Sequence, residues 1–253
     1  MIQDNQITTY NPHYWSVNKP INDNLEQQAQ ALFKSWFVDF EPFKDGKFVD
    51  SELGMIPEGW KVKSLKEFIY ISKSTINPQK NLDKVFIHYS LPACDNGLQP
   101  ETQLGSEIKS NKIILEDDTI LFSKLNPRIK RIWFTSLVKQ NSICSTEFIP
   151  FKAINNRQYS FVYSVINSDL FYNYILGFVN GATGSHQRFH AEDSLELNIP
   201  FNNAIIDEFC KYMEPILEKT TTVRHEISRL IESRDLLLPK LMSGELKINE
   251  INN

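Results

Sequence analysis

Apolar residues near the end of the chain recur at alternating intervals of three and four positions. The series, within residues 205–242, is Ile206, Phe209, Met213, Ile216, Thr220, Val223, Ile227, Leu230, Arg234, Leu237 and Leu241. A repeat averaging about 3.5 residues is typical of a coiled-coil seam. The pattern predicts one long helix that packs against a partner helix, with a helix packed on its own domain as the alternative. Pro215 lies inside the pattern and lacks an N–H, so we expect a kink or a division there.

A second apolar pattern, near the start, predicts an N-terminal helix over residues 22–41. It includes the aromatic residues Phe33, Trp36 and Phe37 on adjacent stripes, which indicates that a wide face is buried. Residues 1–21 follow neither the helical nor the strand period, and their two prolines favour an extended leader segment. The acidic stretch after the helix, up to residue 52, reads as a connector.

The middle of the chain, residues 51–201, alternates short β-rich stretches with turn signals. Strands are predicted at residues 68–72, 84–91, 119–123, 131–138, 142–150 and 195–199. Residues 160–178 have helical spacing and form one helix or two short ones. A polar loop with glycines follows at 181–189. The fold class is therefore α+β: one mixed α/β domain between the N-terminal helix and a C-terminal coiled-coil helix at 204–243.

Charge is distributed unevenly along the chain, although the net charge is only −4. Residues 1–60 and 192–253 each carry −5, whereas residues 119–168 hold seven basic residues against one acid, Glu147. A positive stretch of this kind can supply phosphate contacts even in an acidic protein. A solvated basic face is the alternative interpretation.

The first residues, the apolar runs and the cysteines bear on the cellular location of the protein. The first residues lack a basic region followed by an apolar one, and no uncharged apolar run is long enough to span a bilayer. Cys94, Cys144 and Cys210 are widely separated without a Cys-x-x-Cys pair, which argues against a disulfide framework and a structural zinc site. We therefore expect a cytoplasmic protein without membrane contact.

Six stretches, taken in order, resemble one family of proteins. They are residues 25–37, 56–60, 121–127 (LFSKLNP), 145–148 (STEF), 181–189 and 234–246. Their order and spacing are similar to those of the DNA specificity subunits of type I restriction-modification enzymes. That resemblance implies a target recognition domain followed by a conserved helix, a pair that usually occurs twice in one chain. This chain has one such domain and thus resembles a half-length subunit.

The resemblance also implies partners. A specificity subunit reads double-stranded DNA and binds methyltransferase subunits, and through that complex it meets the restriction subunit. A single recognition domain with an apolar seam favours a homodimer that reads an inverted repeat with a gap set by the helical spacer. The residues predicted to bind the second copy or the methyltransferase subunits are Phe209, Met213, Ile216, Val223, Ile227, Leu230, Leu237, Leu241, Phe33, Trp36 and Phe37.

Two loops supply the candidate DNA contacts. In residues 124–131, a turn at Asn126-Pro127 should bring four cations together, and the glycines of the 181–189 loop allow close approach of backbone to a ligand. The candidate residues are Lys124, Asn126, Arg128, Lys130, Arg131, Ser185, His186, Gln187 and Arg188. Plain surface turns are the alternative for both loops.

Enzymatic chemistry is not supported by the motifs. Asn126-Pro127-Arg128-Ile129 lacks the second proline and the aromatic residue of the Asn-Pro-Pro-aromatic motif of amino-methyltransferases. His186 and His190 have no third zinc ligand, and no Gly-Lys-Ser/Thr follows Gly184. We expect no catalytic residue, no metal and no cofactor. A scaffold or inhibitor that binds methyltransferase subunits without reading DNA remains the second functional hypothesis.

Overall fold

The computed structural model describes residues 12–179 and 187–245. Within them the chain forms five α-helices: α1 (Pro12–Phe37), α2 (Leu91–Asp95), α3 (Tyr159–Asn167), α4 (Asp169–Leu176) and α5 (Asn203–Met242). The strands in the same residues are β1 (Phe48–Ser51), β2 (Gly54–Pro57), β3 (Lys61–Ser64), β4 (Ile69–Ile71), β5 (Thr75–Ile76), β6 (Val85–Tyr89), β7 (Glu101–Leu104), β8 (Lys112–Ile114), β9 (Thr119–Ser123), β10 (Ile132–Thr135), β11 (Ser142–Ser145), β12 (Phe148–Ala153) and β13 (Asn198–Phe201). The predicted α+β class is confirmed.

The chain divides into two compact units. One comprises Ala29–Pro215 and contains all the strands named above. The other comprises Met1–Gln28 and Ile216–Asn253 and is helical where the structure describes it, apart from a turn at residues 243–245. Both α1 and α5 therefore contribute residues to each unit. No described helix is long and apolar enough to cross a membrane.

A four-stranded antiparallel sheet, in the order β10-β9-β12-β4, lies at the centre of the larger unit. All residues of β9 and β12 are buried. On one face, Phe171 of α4 contacts Phe122 and Phe151, with ring centroids 5.3 and 5.9 Å apart. On the other face, Leu121 and Phe148 join a second core cluster. Burial on both faces explains the nearly continuous apolar runs of these strands.

A five-stranded mixed sheet, in the order β5-β8-β11-β6-β7, packs against that second face. Strands β11 and β6 are parallel, and the other neighbouring pairs are antiparallel. Tyr89 of β6 meets Trp133 of β10 with centroids 4.6 Å apart. Burial raises the pKa of Tyr89 to about 12.

The predicted single strand over residues 142–150 is wrong, because it consists of two strands in different sheets. β11 belongs to the five-stranded sheet and β12 to the four-stranded one. Thr146 and Glu147 form the crossing between them. The stretch that the sequence presents as one strand is interrupted because the chain passes here from one sheet to the other. This crossing fixes the position of Glu147.

The N-terminal aromatic residues belong to the core of the larger unit. Phe37 lies 4.9 Å from Phe161 and 5.1 Å from Phe209, measured between ring centroids. Phe33, Phe37, Phe209 and Met213 are all buried. Their predicted role in binding a partner is therefore corrected: these side chains pack inside the larger unit and stabilise it. Trp36 is half-buried beside Phe209.

The helix α1 begins at Pro12, so the predicted extended backbone is wrong for residues 12–21. Proline suits the first position of a helix, where its missing N–H has no partner. The helix continues past Pro20 to Phe37. Residues 1–11 of the predicted leader lie outside the described residues.

The long C-terminal helix is confirmed as α5, from Asn203 to Met242. The side-chain oxygen of Asn202 accepts hydrogen bonds from the backbone N–H groups of Ala204 and Ile205, which caps its first turn. The helix is not divided at Pro215. Buried Met213 and Leu217 flank the proline, and their packing offsets the missing hydrogen bond.

The acidic connector predicted up to residue 52 ends in the first strand of a β-hairpin. β1 and β2 pair antiparallel, with Phe48 opposite Pro57 and Ser51 opposite Gly54. Phe48 packs edge-on against Phe40, with ring centroids 6.1 Å apart. This contact explains why a stretch with little alternation still forms strands. The predicted helical region 160–178 forms two helices, α3 and α4, separated by Ser168, whose hydroxyl caps α4.

Candidate nucleic-acid interface

The loop of residues 124–131 joins β9 to β10. Asn126 has a positive φ of 48°, a conformation that asparagine tolerates better than most residues. The N–H of Ile129 donates to the carbonyl oxygen of Asn126 at 2.9 Å, and the hydroxyl of Ser123 donates to the carbonyl of Leu125 at 2.9 Å. The turn expected at Asn126-Pro127 is therefore present.

The second predicted loop meets this turn through its last residues. The N–H of Asn126 donates to the carbonyl of Gln187 at 2.9 Å, and Leu125 forms an antiparallel bridge with Arg188. Arg128 Nε donates to Gln187 Oε1 at 3.2 Å. We call residues 124–131 together with 187–188 the converging loops. Ser185 and His186 lie outside the described residues.

Glu147 holds one arginine of the converging loops. Arg188 Nε and Nη2 donate to the two carboxylate oxygens of Glu147 at 3.1 and 2.9 Å. The N–H of Lys124 donates to the carbonyl of the same glutamate at 2.9 Å. A bidentate pair of this kind restricts the orientation of the guanidinium as well as its position. Glu147 thus links both parts of the converging loops to the crossing between the two sheets.

Arg131 is held more tightly. Its Nε and Nη2 donate to the carboxylate of Asp95 at 2.6 and 3.0 Å, and its side chain is only 13% exposed. The hydrogen bond to Asp95 raises the pKa of Arg131. This arginine therefore anchors the end of the loop to α2, and it presents less charge to solvent than the sequence alone suggested.

Tyr172 of α4 braces the centre of the loop. Its hydroxyl donates to the carbonyl of Arg128 at 2.8 Å. The ammonium of Lys130 lies 5.8 Å from the centre of the Tyr172 ring and donates to the carbonyl of Asn167. The backbone of the loop is therefore fixed by contacts on both sides, while Arg128 remains exposed at the tip.

The positive field of residues 119–168 is smaller than their charge suggests. Lys152 is buried on β12 and pairs with Glu116 at 2.8 Å, and Arg131 pairs with Asp95, so two acids from outside the segment neutralise part of it. Lys139 is exposed in the connection after β10, at the other end of the β9–β10 hairpin from the loop. The cations that reach solvent near one another are thus concentrated in the converging loops.

Sequence reasoning missed three residues of this site: Asp95, Glu147 and Tyr172. Glu147 carried a signal, because it is the single acid in a basic stretch. Tyr172 and Asp95 carried none, because their roles come from contacts with residues 44 and 36 positions away. In the described ranges no group of three potential metal-ligating side chains occurs, and the three cysteines are buried thiols that form no disulfide there.

The smaller unit carries a second candidate surface, on the last turns of α5. Of the predicted seam residues in this unit, Thr220 and Val223 are buried and Ile216 is half-buried, so the first part of the seam is largely covered. Farther along, Ile227 and Leu241 are half-buried. The exposed apolar residues of this segment are Leu230, Leu236, Leu237, Leu238 and Met242. Exposed apolar residues clustered at one end of a helix are a candidate association surface. Because Leu236, Leu237 and Leu238 are consecutive, this cluster covers more than one face of α5.

Comparison with known proteins agrees with the resemblance. No family model matches the chain. It is 29% identical, over 92% of its length, to the specificity subunit of the type I restriction enzyme MjaIX of Methanocaldococcus jannaschii. It is 27% identical, over 91% of its length, to the HindI specificity subunit of Haemophilus influenzae. The chain spans 55% and 63% of these two relatives.

A solved structure supports the fold. The HsdS subunit from Thermoanaerobacter tengcongensis matches with a TM-score of 0.54 at 20% identity, covering 75% of this chain and 50% of that one. The predicted resemblance to type I specificity subunits is therefore confirmed, with the present chain matching about half of each relative.

Proposed function

We propose that this chain is a non-catalytic DNA specificity subunit of a type I restriction-modification enzyme. The observation that carries the proposal is the convergence of two distant loops into one braced surface with exposed arginines. Rigid support of this kind suits a reading site, because side chains whose orientation is already fixed lose little entropy when they bind. The two curated relatives, both specificity subunits, support the same function.

Arg128 and Arg188 are the principal candidates for base contacts in this proposal. An arginine fork matches the O6 and N7 acceptors of guanine in the major groove. Gln187 orients Arg128 and Glu147 orients Arg188, so both forks are held in defined directions. Lys124, Asn126 and Lys130 belong to the surrounding surface, where phosphate contacts would position the domain. Arg131 serves the site by holding the loop. The roles of Ser185 and His186 stay predictions.

We further propose that the chain acts as a dimer reading an inverted repeat. It has about half the length of its curated relatives, and two copies would restore two recognition domains. The exposed leucines at the end of α5 supply an apolar surface for the second copy. Inserting seven residues before Ser228 would lengthen the spacer by about 10 Å, or close to three base pairs. An unchanged gap after the insertion would contradict this spacer model.

The same proposal assigns the methyltransferase subunits to the helical unit and the DNA to the converging loops. The restriction subunit would join through that complex, and the chain itself would supply no catalytic group. Since Phe33 and Phe37 are buried, half-buried Trp36 and the exposed parts of α1 and α5 are the surfaces left for these partners.

Binding of random duplex DNA, followed by fluorescence anisotropy at several salt concentrations, tests the DNA-reading role. A DNA-binding protein should show a linear loss of log affinity with log salt, whereas a scaffold or inhibitor should show no such slope. Arg128→Ala should lower selectivity for the target found by methylation sequencing in cells that also express the methyltransferase subunits. Arg157→Ala, an exposed arginine outside the converging loops, is the matched control. Equal selectivity in the two variants would remove Arg128 from the site.

A further inference from the structure

Ile129 is an exposed apolar residue at the tip of the converging loops. Its side chain is 53% exposed, and it stands between Arg128 and Lys130. Single exposed apolar residues are common on protein surfaces, so exposure by itself implies nothing. What distinguishes Ile129 is its position within a surface that is otherwise polar and cationic.

The backbone around Ile129 is fixed by several hydrogen bonds. Its own N–H donates to the carbonyl of Asn126 at 2.9 Å, and the preceding carbonyl, that of Arg128, accepts from the Tyr172 hydroxyl at 2.8 Å. Two residues farther on, Arg131 is clamped by Asp95. The side chain is therefore presented to solvent by a rigid turn. A hydrophobic group that is already in place when a ligand arrives binds without the cost of ordering it.

The cations around Ile129 restrict what it can contact. They attract phosphate backbone and guanine edges, and they disfavour docking of a purely apolar protein surface. In the major groove, the edges of the base pairs carry polar groups, together with one apolar group, the 5-methyl of thymine. An isoleucine between guanidinium and ammonium groups fits that methyl group.

We propose that Ile129 is a specificity-determining residue that packs against the 5-methyl group of a thymine and so selects an A·T pair at one position of the DNA target. This inference rests on the proposed DNA-reading function. The cations on either side hold the strand by its phosphates and neighbouring bases, and the isoleucine adds discrimination at a single position.

The test uses the full chain and a pool of random DNA duplexes, with the bound fraction sequenced for each variant. Ile129→Ala should reduce the preference for one A·T pair about tenfold and leave the other positions of the motif intact. Ile154→Ala is the matched control, because Ile154 is 57% exposed in the same unit but lies beyond β12, outside the converging loops. It should select the wild-type motif.

A second measurement needs no variant. Replacing the selected thymine by uracil removes only the methyl group, and wild-type protein should then lose about the same factor in affinity as Ile129→Ala loses on the thymine duplex. Ile129→Ala should bind the thymine and uracil duplexes equally.

Three outcomes would overturn the inference. The first is an unchanged motif with Ile129→Ala, and the second is loss of a G·C pair instead of an A·T pair. The third is a wild-type protein that does not distinguish uracil from thymine at the affected position. If the wild-type chain selects no motif at all, the proposed function fails and this inference fails with it. If the wild-type protein selects a motif and Ile129→Ala selects the same motif, this inference fails and the proposed function stands.

Discussion

Replacing Glu147 by glutamine tests whether this carboxylate restrains Arg188. The change keeps the size of the side chain and one hydrogen-bond acceptor but removes the charge that holds the guanidinium at 3.1 and 2.9 Å. The Arg188 side chain is 49% exposed and that of Glu147 is 27% exposed, so solvent screens much of their attraction. We therefore expect stability to fall by only about 0.5–1 kcal/mol. That corresponds to about 1–4 °C in melting temperature.

The change should affect DNA binding in two ways, through the affinity for random DNA and through the selectivity for the target. A guanidinium released from its carboxylate is free to neutralise a phosphate, which steepens the plot of log affinity against log salt by about 0.9. Affinity for random duplexes should therefore rise at low salt. Selectivity for the target should fall, because the fork of Arg188 no longer has a fixed direction.

The control is Glu192→Gln, which makes the same change of net charge elsewhere in the larger unit. Glu192 pairs with Lys73 at 3.3 Å, and both side chains are largely exposed. Anisotropy titrations of wild type and both variants, at four or more salt concentrations, give the slopes to be compared. Equal slopes in all three proteins, or the same steepening in both variants, would refute the idea that Glu147 restrains a DNA-binding arginine.

Three further predictions concern stability. Phe209→Ala should lower the free energy of unfolding by about 3–5 kcal/mol in urea titrations, because the ring is fully buried among aromatic side chains. Tyr212 is exposed, so Tyr212→Ala should lower the same free energy by about 0.5 kcal/mol or less. Equal losses in the two variants would contradict the described core. Asp95→Asn should lower the free energy of unfolding by about 1–2 kcal/mol and speed amide hydrogen exchange in residues 124–131, because Arg131 loses its counter-charge. Exchange protection equal to that of the wild type would contradict the role of Arg131 in anchoring the loop. Burial lowers the pKa of His88, so the unfolded chain takes up this proton first as pH falls below about 6.5. Stability should then decline there by up to about 1.4 kcal/mol per pH unit, and melting curves at pH 7.5 and 5.5 should show a smaller decline for His88→Gln.

The parts of the fold that follow from local pattern were predictable. The apolar seam predicted the start of α5 to within two residues, and the predicted bounds of β9 agree with the structure. β9 is a short apolar run buried along its whole length, and α5 keeps one apolar period over many turns, so both patterns are strong. Helical spacing over residues 160–178 left one helix or two open; the structure has two, α3 and α4, with Ser168 as the break.

The parts that depend on distant neighbours were not predictable. The hairpin of β1 and β2 has little alternation and forms through pairing and through contact with Phe40. In the candidate site, the two loops were identified separately, and the turn at Asn126 was expected. Their joining through Gln187, and the pairing of Arg188 with Glu147, required knowledge of where two sheets meet. A charge count along the sequence likewise could not include Asp95, which arrives from another element.

The bracing of the 124–131 turn has a consequence for engineering new specificities by transplantation. The turn depends on Asp95, Glu147, Tyr172 and Gln187, which come from four other stretches of the chain. If the turn alone were transplanted into a related scaffold, it would lack these supporting contacts, and its arginines would lose the orientations they have here. Exchange of the whole unit between α1 and α5 carries every support along. We therefore expect natural exchange between such proteins to have its boundaries in the two helices and not on either side of the turn.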